Sequence, residues 1–386
     1  MDEAQAKRSQ LEEAQARRSQ LEEAQAKRSQ RRKLQAIDVA ILYNVDFTDA
    51  TPAGDTAYES RATVQSVAFD VEAALIADGA HTATLIPVEG DFAELRARLE
   101  AQSPACVFNL CESLGGDARL ETVLPTVLDL MGLPYTGSPP PALSAALYKD
   151  RVKARLIEAG VPTPRGVLLH SADDPFDVPY PVIVKPSRED GSAGITAKSV
   201  CHDEASVRAR AFDVIDAFKA PVLVEQFIDG REFNVAMLGY PQARVLPLQE
   251  IDFSALPDDR PKIVSYDAKW LTGSIDDLGT QPVIMPQLPP AIAARIRRVA
   301  SDAFRAVGVR DYGRVDVRLS SNGTPYVVDV NPNCDLSPDA GFARAANSVG
   351  IDYPALMRLL VRYARSRRKE IVGTREARTA TSGRDR

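Results

Sequence analysis

The chain has 386 residues, 45% of them hydrophobic, which is enough for two or three packed domains. Its net charge of −6 gives no electrostatic reason to expect nucleic acid as a partner. The sequence has no run of about 20 apolar residues, so no membrane span is predicted. The charged start, "MDEAQAKRSQ", is not typical of a secretory signal peptide. The four cysteines lack CxxC spacing. We therefore expect a reduced, cytoplasmic protein with neither nucleic acid nor a membrane as its partner.

A decapeptide repeat occupies residues 1–36 and reads "MDEAQAKRSQ", "LEEAQARRSQ", "LEEAQAKRSQ" and a degraded "RRKLQA". Strong helix formers dominate it, and pairs such as Glu13–Arg17 are in the favourable i,i+4 order. Ten residues advance a helix by about 1000°, so Leu11 and Leu21 do not share a face and a heptad coiled coil is not expected. We predict a helical or partly disordered extension. The alternative is a peptide that a partner recognises or an enzyme modifies.

The composition changes at Ile37, where a predicted α/β domain begins. "AIDVAILYNV", "TATLIPV" and "ACVFNL" are apolar runs typical of buried parallel strands. Helical stretches separate them, around Ala62–Asp78 and near Phe92–Ala101. This alternation predicts a doubly wound N-terminal α/β domain over residues 37–138, which we expect to bind substrate.

A second, central segment is predicted over residues 139–224. "SPPPALSAALYKDRVKARLIEAG" begins it with prolines followed by a helix. "YPVIVKPS" and "APVLVEQFI" then predict two strands separated by another helix. The polar loop "REDGSAGIT", with glycines at 191 and 194, follows the first of these strands.

The last predicted segment covers residues 225–365. It contains "REFNVAMLG", "VLPLQEIDF", a long helix from about Pro290 to Val307, and the strand pair "YGRVDVRLS" and "PYVVDVNPN". "SNGT" between these two strands is a strong hairpin signal. From Arg365 the chain is polar and basic with few apolar residues, which predicts a flexible basic tail over residues 366–386.

The hairpin carries a candidate metal site. Asp316 and Asp329 lie on its two strands, and Asn331 shares a face with Asp329 because side chains repeat every two residues. Two carboxylates and an amide oxygen between apolar flanks are costly without a cation. Oxygen ligands of this kind suit Mg²⁺. The alternative is a pair of strand-end aspartates in solvent.

Basic residues in three segments are candidates for phosphate binding. Lys185 ends an apolar strand, where a lysine is costly without an anionic partner. Lys149 and Lys153 lie one turn apart on a helix and, on their own, are more typical of a solvated face. Arg314 shares the face of Asp316, which suits either stabilisation of a phosphate-like transition state or a structural salt bridge. Backbone N–H groups of "DGSAG" can lie over phosphates, although such loops are common.

The order of these parts resembles the ATP-grasp superfamily and is most similar to the D-alanine–D-alanine ligase family. The resemblance extends from about Ile37 to Tyr363 and rests on several blocks in order, namely "LMGLPYTGS", "PVIVKPSRE", "VEQFIDGREFNVAMLG", "YDAKW" and "GRVDV…VVDVNPN". It implies a three-part ATP-grasp architecture, in which the N-terminal doubly wound domain is followed by two α+β subdomains that clasp ATP.

The resemblance also implies roles for individual residues, with ATP and Mg²⁺, two ions being expected, as cofactors. The implied nucleotide-binding residues are Lys149, Lys185, Lys269 and Ser192 at the phosphates and Glu225, Gln226, Ile228 and Glu232 at adenine and ribose. Asp316, Asp329 and Asn331 match the Mg²⁺ ligands, with Asp329 in place of the usual glutamate. Arg314 and Lys185 match groups that stabilise the reacting phosphate, and Glu59 matches the glutamate that binds the first substrate's amino group.

The substrate side departs from the family pattern. Gly191 and Trp270 stand where a serine and a tyrosine are usual, "NLCESLGG" replaces a histidine-glycine motif, and Ala340 stands where a serine binds the second D-alanine. Glu112 and Asp335 are among the new polar groups. We predict an ATP-dependent carboxylate–amine ligase that acts through an acyl phosphate on an amino acid or peptide other than D-alanine plus D-alanine.

Several alternatives remain open at this point. One alternative is an authentic D-alanine–D-alanine ligase, and another is a ligase that modifies a peptide like its own repeat. The other two are an enzyme that transfers phosphate without ligation and a non-catalytic nucleotide-binding scaffold whose repeat recruits a partner. By analogy with related ligases, a homodimer is also expected.

Overall fold

The computed structural model describes residues 36–45 and 56–382, and within the second range it describes side chains from residue 64 to 367. The predicted decapeptide extension and the side chain of Glu59 therefore lie outside the described residues. None of the described helices is long and apolar enough to cross a membrane.

The helices and strands follow the predicted order along the chain. The strands are β1 (Ile37–Asn44), β2 (His81–Val88), β3 (Cys106–Asn109), β4 (Gly166–Leu169), β5 (Val182–Pro186), β6 (Val200–Cys201), β7 (Val222–Gln226), β8 (Gly230–Gly239), β9 (Arg244–Val245), β10 (Gln249–Asp252), β11 (Gln281–Ile284), β12 (Asp311–Ser320) and β13 (Pro325–Asn331). The helices are α1 (Thr56–Ile76), α2 (Phe92–Gln102), α3 (Val123–Met131), α4 (Pro140–Ala146), α5 (Lys149–Glu158), α6 (Glu204–Phe218), α7 (Tyr266–Trp270), α8 (Ile275–Leu278), α9 (Pro290–Val307), α10 (Gly341–Asn347) and α11 (Tyr353–Ser382).

The N-terminal sheet has the order β2-β1-β3, and its described pairings are parallel, as predicted. Alternate residues of the central strand face opposite sides. Ile41 packs with Val67 of α1, whereas Leu42 packs with Leu95 of α2. Because helices cover both faces, every residue of β1 from Val39 to Leu42 is fully buried. The carboxyl ends of the strands meet at one edge, which is where ligands bind in sheets of this kind.

The central sheet has the order β4-β7-β5-β6, with antiparallel neighbours. Helix α6 covers one face with Val207, Ala211 and Val214. The predicted domain boundary between residues 224 and 225 falls inside β7, so Glu225 lies in this sheet next to the β5 strand that carries Lys185.

The largest sheet has the order β11-β10-β8-β12-β13 among the described strands, and β9 pairs with β8. Helix α9 packs against it through residues such as Phe304, which meets Val315 in one core. This helix has Pro290 in its first turn and ends at Gly308, which adopts the positive φ of 83° that favours glycine. The predicted "SNGT" hairpin is confirmed, since β12 and β13 pair on either side of it.

The carboxyl-terminal segment differs from the prediction of a loose tail over residues 366–386. Helix α11 continues past Arg365 to Ser382. The Arg367 guanidinium is buried and forms an ion pair with Asp311 and a hydrogen bond to the carbonyl of Tyr135. These two partners lie far away in sequence, so the polar composition of the segment concealed its packing.

Candidate active site

The two hairpin aspartates lie on paired strands, as the sequence predicts, and a β-bulge between Asp316 and Val317 makes them direct register partners across β12 and β13. Arg314 grips Asp316 through two hydrogen bonds, with Nε 2.7 Å from Oδ1 and Nη2 2.9 Å from Oδ2. Asn234 on the adjacent strand donates a third hydrogen bond to Asp316, over 2.9 Å. Asp329 faces Lys149, whose Nζ lies 3.8 Å from its Oδ2. The salt bridge that the sequence left open for Arg314 is therefore present, and the two aspartates are not simply solvated strand ends.

Neighbouring cations keep the Asp329 carboxylate ionised. Burial tends to raise the pKa of Asp329, but Lys149, Lys185 and Arg314 together lower it below its ordinary value. For Arg314, burial tends to lower the pKa, and the neighbouring Asp316 more than compensates and raises it. The site thus presents anionic oxygens opposite fixed cations.

The donor chemistry of the hairpin fits Mg²⁺. Asp316, Asp329 and the Asn331 amide supply hard oxygen atoms, which this ion prefers. In the described part of the chain no three His, Cys, Asp or Glu side chains converge as a complete metal site. Mg²⁺ held here would take its remaining ligands from water and phosphate, which is its usual habit in nucleotide sites.

Glu225 binds two of the candidate lysines. Its Oε1 lies 2.5 Å from Lys185 Nζ and its Oε2 lies 2.8 Å from Lys153 Nζ, and all three side chains are buried. Burial tends to raise the pKa of Glu225, but Lys185 and Lys153 lower it. The anionic partner expected for Lys185 is therefore Glu225. Lys149 and Lys153, which on their own are more typical of a solvated face, are both buried and paired with acids.

The predicted adenine and ribose segment lies between the central and the largest sheets. Ile228 is buried, and Gln226 is half-buried at the end of β7. Glu232 pairs with Arg318 across β8 and β12, with Arg318 Nη1 2.8 Å from its Oε2. Arg318 was not predicted from the sequence. Its position four residues after Arg314 on one strand indicates that the two side chains share a face, because side chains alternate between faces.

The glycine-containing loop and helix α7 are joined to each other. The Trp270 indole donates to the carbonyl of Gly191 over 2.8 Å, and the Ser192 hydroxyl donates to the carbonyl of Val264 over 3.0 Å. Lys269, on the same helix as Trp270, has a lowered pKa because the surrounding protein desolvates its ammonium and Arg314 repels it. These contacts join the two segments that the sequence placed at the phosphates.

A cavity of about 330 Å³ extends from Asn331 to the loop after β3. Val67 and Leu143 contribute to an apolar wall, whereas Glu112 and Glu121 line it with carboxylates. Gly191, Trp270 and Lys269 also line it, so two of the positions that depart from the family pattern, Gly191 and Trp270, border this space. Glu121 was not predicted from the sequence. It accepts a hydrogen bond from Asn333, which lies 212 residues further along the chain.

The arrangement of domains defines the class of protein as an ATP-grasp fold. A solved D-alanine–D-alanine ligase from Bacillus anthracis, crystallised in complex with ATP, superposes with a TM-score of 0.66. The superposition covers 87% of this chain and 99% of that one at 19% identity. The predicted fold class is thereby confirmed.

The family follows from sequence similarity. The family model described as the D-ala D-ala ligase C-terminus matches residues 174–362. A D-alanine–D-alanine ligase of Desulforudis audaxviator is 32% identical over 66% of this chain and 79% of its own length. A relative in Sinorhizobium fredii, described as uncharacterized protein y4sG, is 33% identical over 67% of this chain and 74% of its own length. The chain belongs to the D-alanine–D-alanine ligase family, which confirms the resemblance read from its motifs.

Proposed function

We propose that the protein is an ATP-dependent carboxylate–amine ligase that forms ADP and an amide bond. The observation that carries this proposal is the charge pattern around the hairpin. Lys149 and Arg314 flank the paired carboxylates of Asp329 and Asp316, and a cavity for a second reactant adjoins them. Family membership supports the use of ATP and Mg²⁺.

The reaction proceeds in two transfers. A substrate carboxylate oxygen attacks the γ-phosphorus of ATP, so that a new P–O bond forms and ADP leaves. An amine then attacks the acyl carbon, inorganic phosphate leaves, and the amine proton passes to a base in the site or to water. The product is an amide together with ADP and phosphate.

The roles of the chain's residues follow from their charges. Lys149 and Lys185 bind phosphate oxygens, and Arg314 stabilises the charge that builds up on the transferred phosphoryl group. Asp316, Asp329 and Asn331 would hold Mg²⁺, which when bound would neutralise phosphate charge. The contact between Trp270 and Gly191 keeps the covering loop in place and excludes water. This protects the acyl phosphate from hydrolysis.

The substrate we propose is an amino acid or peptide other than D-alanine plus D-alanine. Gly191 and Trp270 line the cavity where the family has a serine and a tyrosine, and Glu112 adds a carboxylate beside them. Similarity to relatives named D-alanine–D-alanine ligase supports a second candidate, an authentic D-alanine–D-alanine ligase. The homodimer and a role of the repeat in recognition remain predictions.

The test is an ATP-dependent phosphate-release screen of amino acids, singly and in pairs, with mass spectrometry of the products. We expect one pair to release phosphate and yield an amide, and Asp329→Ala and Arg314→Ala each to lower turnover by at least about a thousandfold. Asp177→Ala is the matched control, since its side chain is 90% exposed. An amide formed only from D-alanine would establish the second candidate. ATP binding without turnover for any pair would instead indicate a scaffold, and phosphorylated substrate without amide would indicate phosphate transfer alone.

A further inference from the structure

The acids of the phosphate region and the acids of the cavity differ in how they are neutralised. Asp316 pairs with Arg314, and Glu225 pairs with two lysines. In contrast, neither Glu112 nor Glu121 forms an ion pair with any side chain in the described ranges, 36–45 and 64–367. Unpaired carboxylates in a partly enclosed space are energetically unfavourable, so each acid either takes up a proton or binds a cation from outside the chain.

Hydrogen bonds hold the backbone of Glu112 and the carboxylate of Glu121 in place. The backbone N–H of Glu112 donates to the Asn44 side chain over 3.1 Å, which anchors the loop after β3. Asn333 donates to Glu121 over 2.9 Å, and the buried Tyr312 hydroxyl donates to Asn333 over 2.7 Å, which fixes the amide's orientation. The segment of Glu112 and the carboxylate of Glu121 are therefore preorganised for a ligand.

The surroundings raise the pKa of each acid to about 8. Burial is the main cause for both, and Asp335 adds repulsion at Glu112, as Glu112 does at Glu121. Lys269 acts in the opposite direction at Glu112 but forms no ion pair with it. A cation bound between the two carboxylates would restore both to the ionised form.

The volume and lining of the cavity indicate which kind of molecule could carry this cationic group. Its volume of about 330 Å³ is near the lower end of the roughly 300–1,000 Å³ found for small-molecule sites. Val67 and Leu143 add apolar surface to the lining of the same cavity, which suits an aliphatic stem.

We infer that one of the two substrates is a basic amino acid whose side-chain ammonium or guanidinium group binds between Glu112 and Glu121. This inference rests on the proposed ligase function and specifies its substrate class. The aliphatic part of the side chain lies against Val67 and Leu143, and the carboxylates select for the charge at its end.

The experiment compares lysine, ornithine and arginine with norleucine and glutamate, each as D and L isomers, in the phosphate-release assay with the full chain. We expect a basic amino acid to exceed norleucine at least about tenfold in kcat/KM. Glu112→Gln and Glu121→Gln should each raise KM for the basic substrate about tenfold with little change in kcat, and leave norleucine unaffected. Glu94→Gln is the matched control, because its side chain is 68% exposed.

Calorimetric binding of the free amino acids distinguishes failure of this inference from failure of the proposed function. Tight binding of a basic amino acid that both glutamine variants abolish supports the inference even without turnover. Equal use of norleucine and lysine overturns it and leaves the ligase intact. An equal loss of kcat for every substrate in the variants also overturns it, since that result assigns the acids to the chemistry. Circular dichroism of each variant, with Glu121→Asp as the conservative replacement, identifies any loss that is due to unfolding.

Discussion

The buried ion pairs of Glu225 predict a large loss of stability when this carboxylate is neutralised. Glu225→Gln keeps the size of the side chain but removes the negative charge between Lys185 and Lys153, 2.5 and 2.8 Å away. Removing one member of a buried ion pair costs about 3–5 kcal/mol, because the partner charge stays buried without compensation. The exposed pair of Arg165 and Asp177, with a similar distance of 2.6 Å, contributes at most about 1 kcal/mol.

The loss of folding stability in Glu225→Gln should also depend on pH in a defined direction. Burial already lowers the pKa of Lys153 from 10.5, while Glu225 raises it, so the variant lowers this pKa further. In the variant the unfolded chain then binds more protons than the folded chain in the window between the lowered pKa and 10.5. Stability therefore rises with pH in that window, and the deficit relative to the unmodified protein is largest near neutral pH.

Urea unfolding followed by circular dichroism at several pH values measures both effects. Asp177→Asn serves as the matched control, since it neutralises an acid of an ion pair at the surface. A loss for Glu225→Gln no greater than that of the control would refute the argument from burial. A deficit that grows between pH 7 and about 10 would refute the assignment of the charges.

Three further predictions concern other parts of the molecule. Trp270→Phe removes the hydrogen bond to Gly191, so we expect a larger share of ATP to be hydrolysed without amide formation, measured as the ratio of ADP to amide. Arg367→Ala leaves Asp311 buried without its partner, and should lower the free energy of unfolding by about 3–5 kcal/mol while the KM for ATP is unchanged. Because the pKa of Glu112 is about 8, its carboxylate ionises as the pH rises through that value, and the KM of a basic substrate should fall from pH 6.5 to about 8.5.

Each of these predictions has a result that contradicts it. An unchanged ratio of ADP to amide in Trp270→Phe would mean that the indole contact does not exclude water. A stability loss below about 1 kcal/mol in Arg367→Ala would place this pair with ordinary surface salt bridges. A parallel fall in the KM of norleucine over the same pH range would assign the titration to a group other than the cavity carboxylates.

The sequence alone determined the features that depend on local patterns. Asp316 and Asp329 are predicted to lie near each other because the short "SNGT" turn joins their strands, but their direct pairing depends on a β-bulge that shifts the register between Asp316 and Val317. Lys185 was placed at the end of a buried strand by its apolar neighbours, and the need for an anionic partner followed from the cost of desolvating its charge. The parallel N-terminal sheet followed in the same way from apolar runs that alternate with helices.

Only the tertiary structure decided which distant charges meet. Glu225 holds Lys153 as well as Lys185 because β7 lies beside β5 and close to helix α5, and no local pattern encodes that proximity. Asn333 reaches Glu121 across 212 positions, and so makes one side of the cavity acidic. The sequence predicts Arg367 in a flexible tail, whereas in the fold it forms an ion pair with Asp311. A hydrogen-bond pattern along a strand or a turn is set by neighbouring residues, whereas desolvation and ion pairing depend on which surfaces the packed chain brings together.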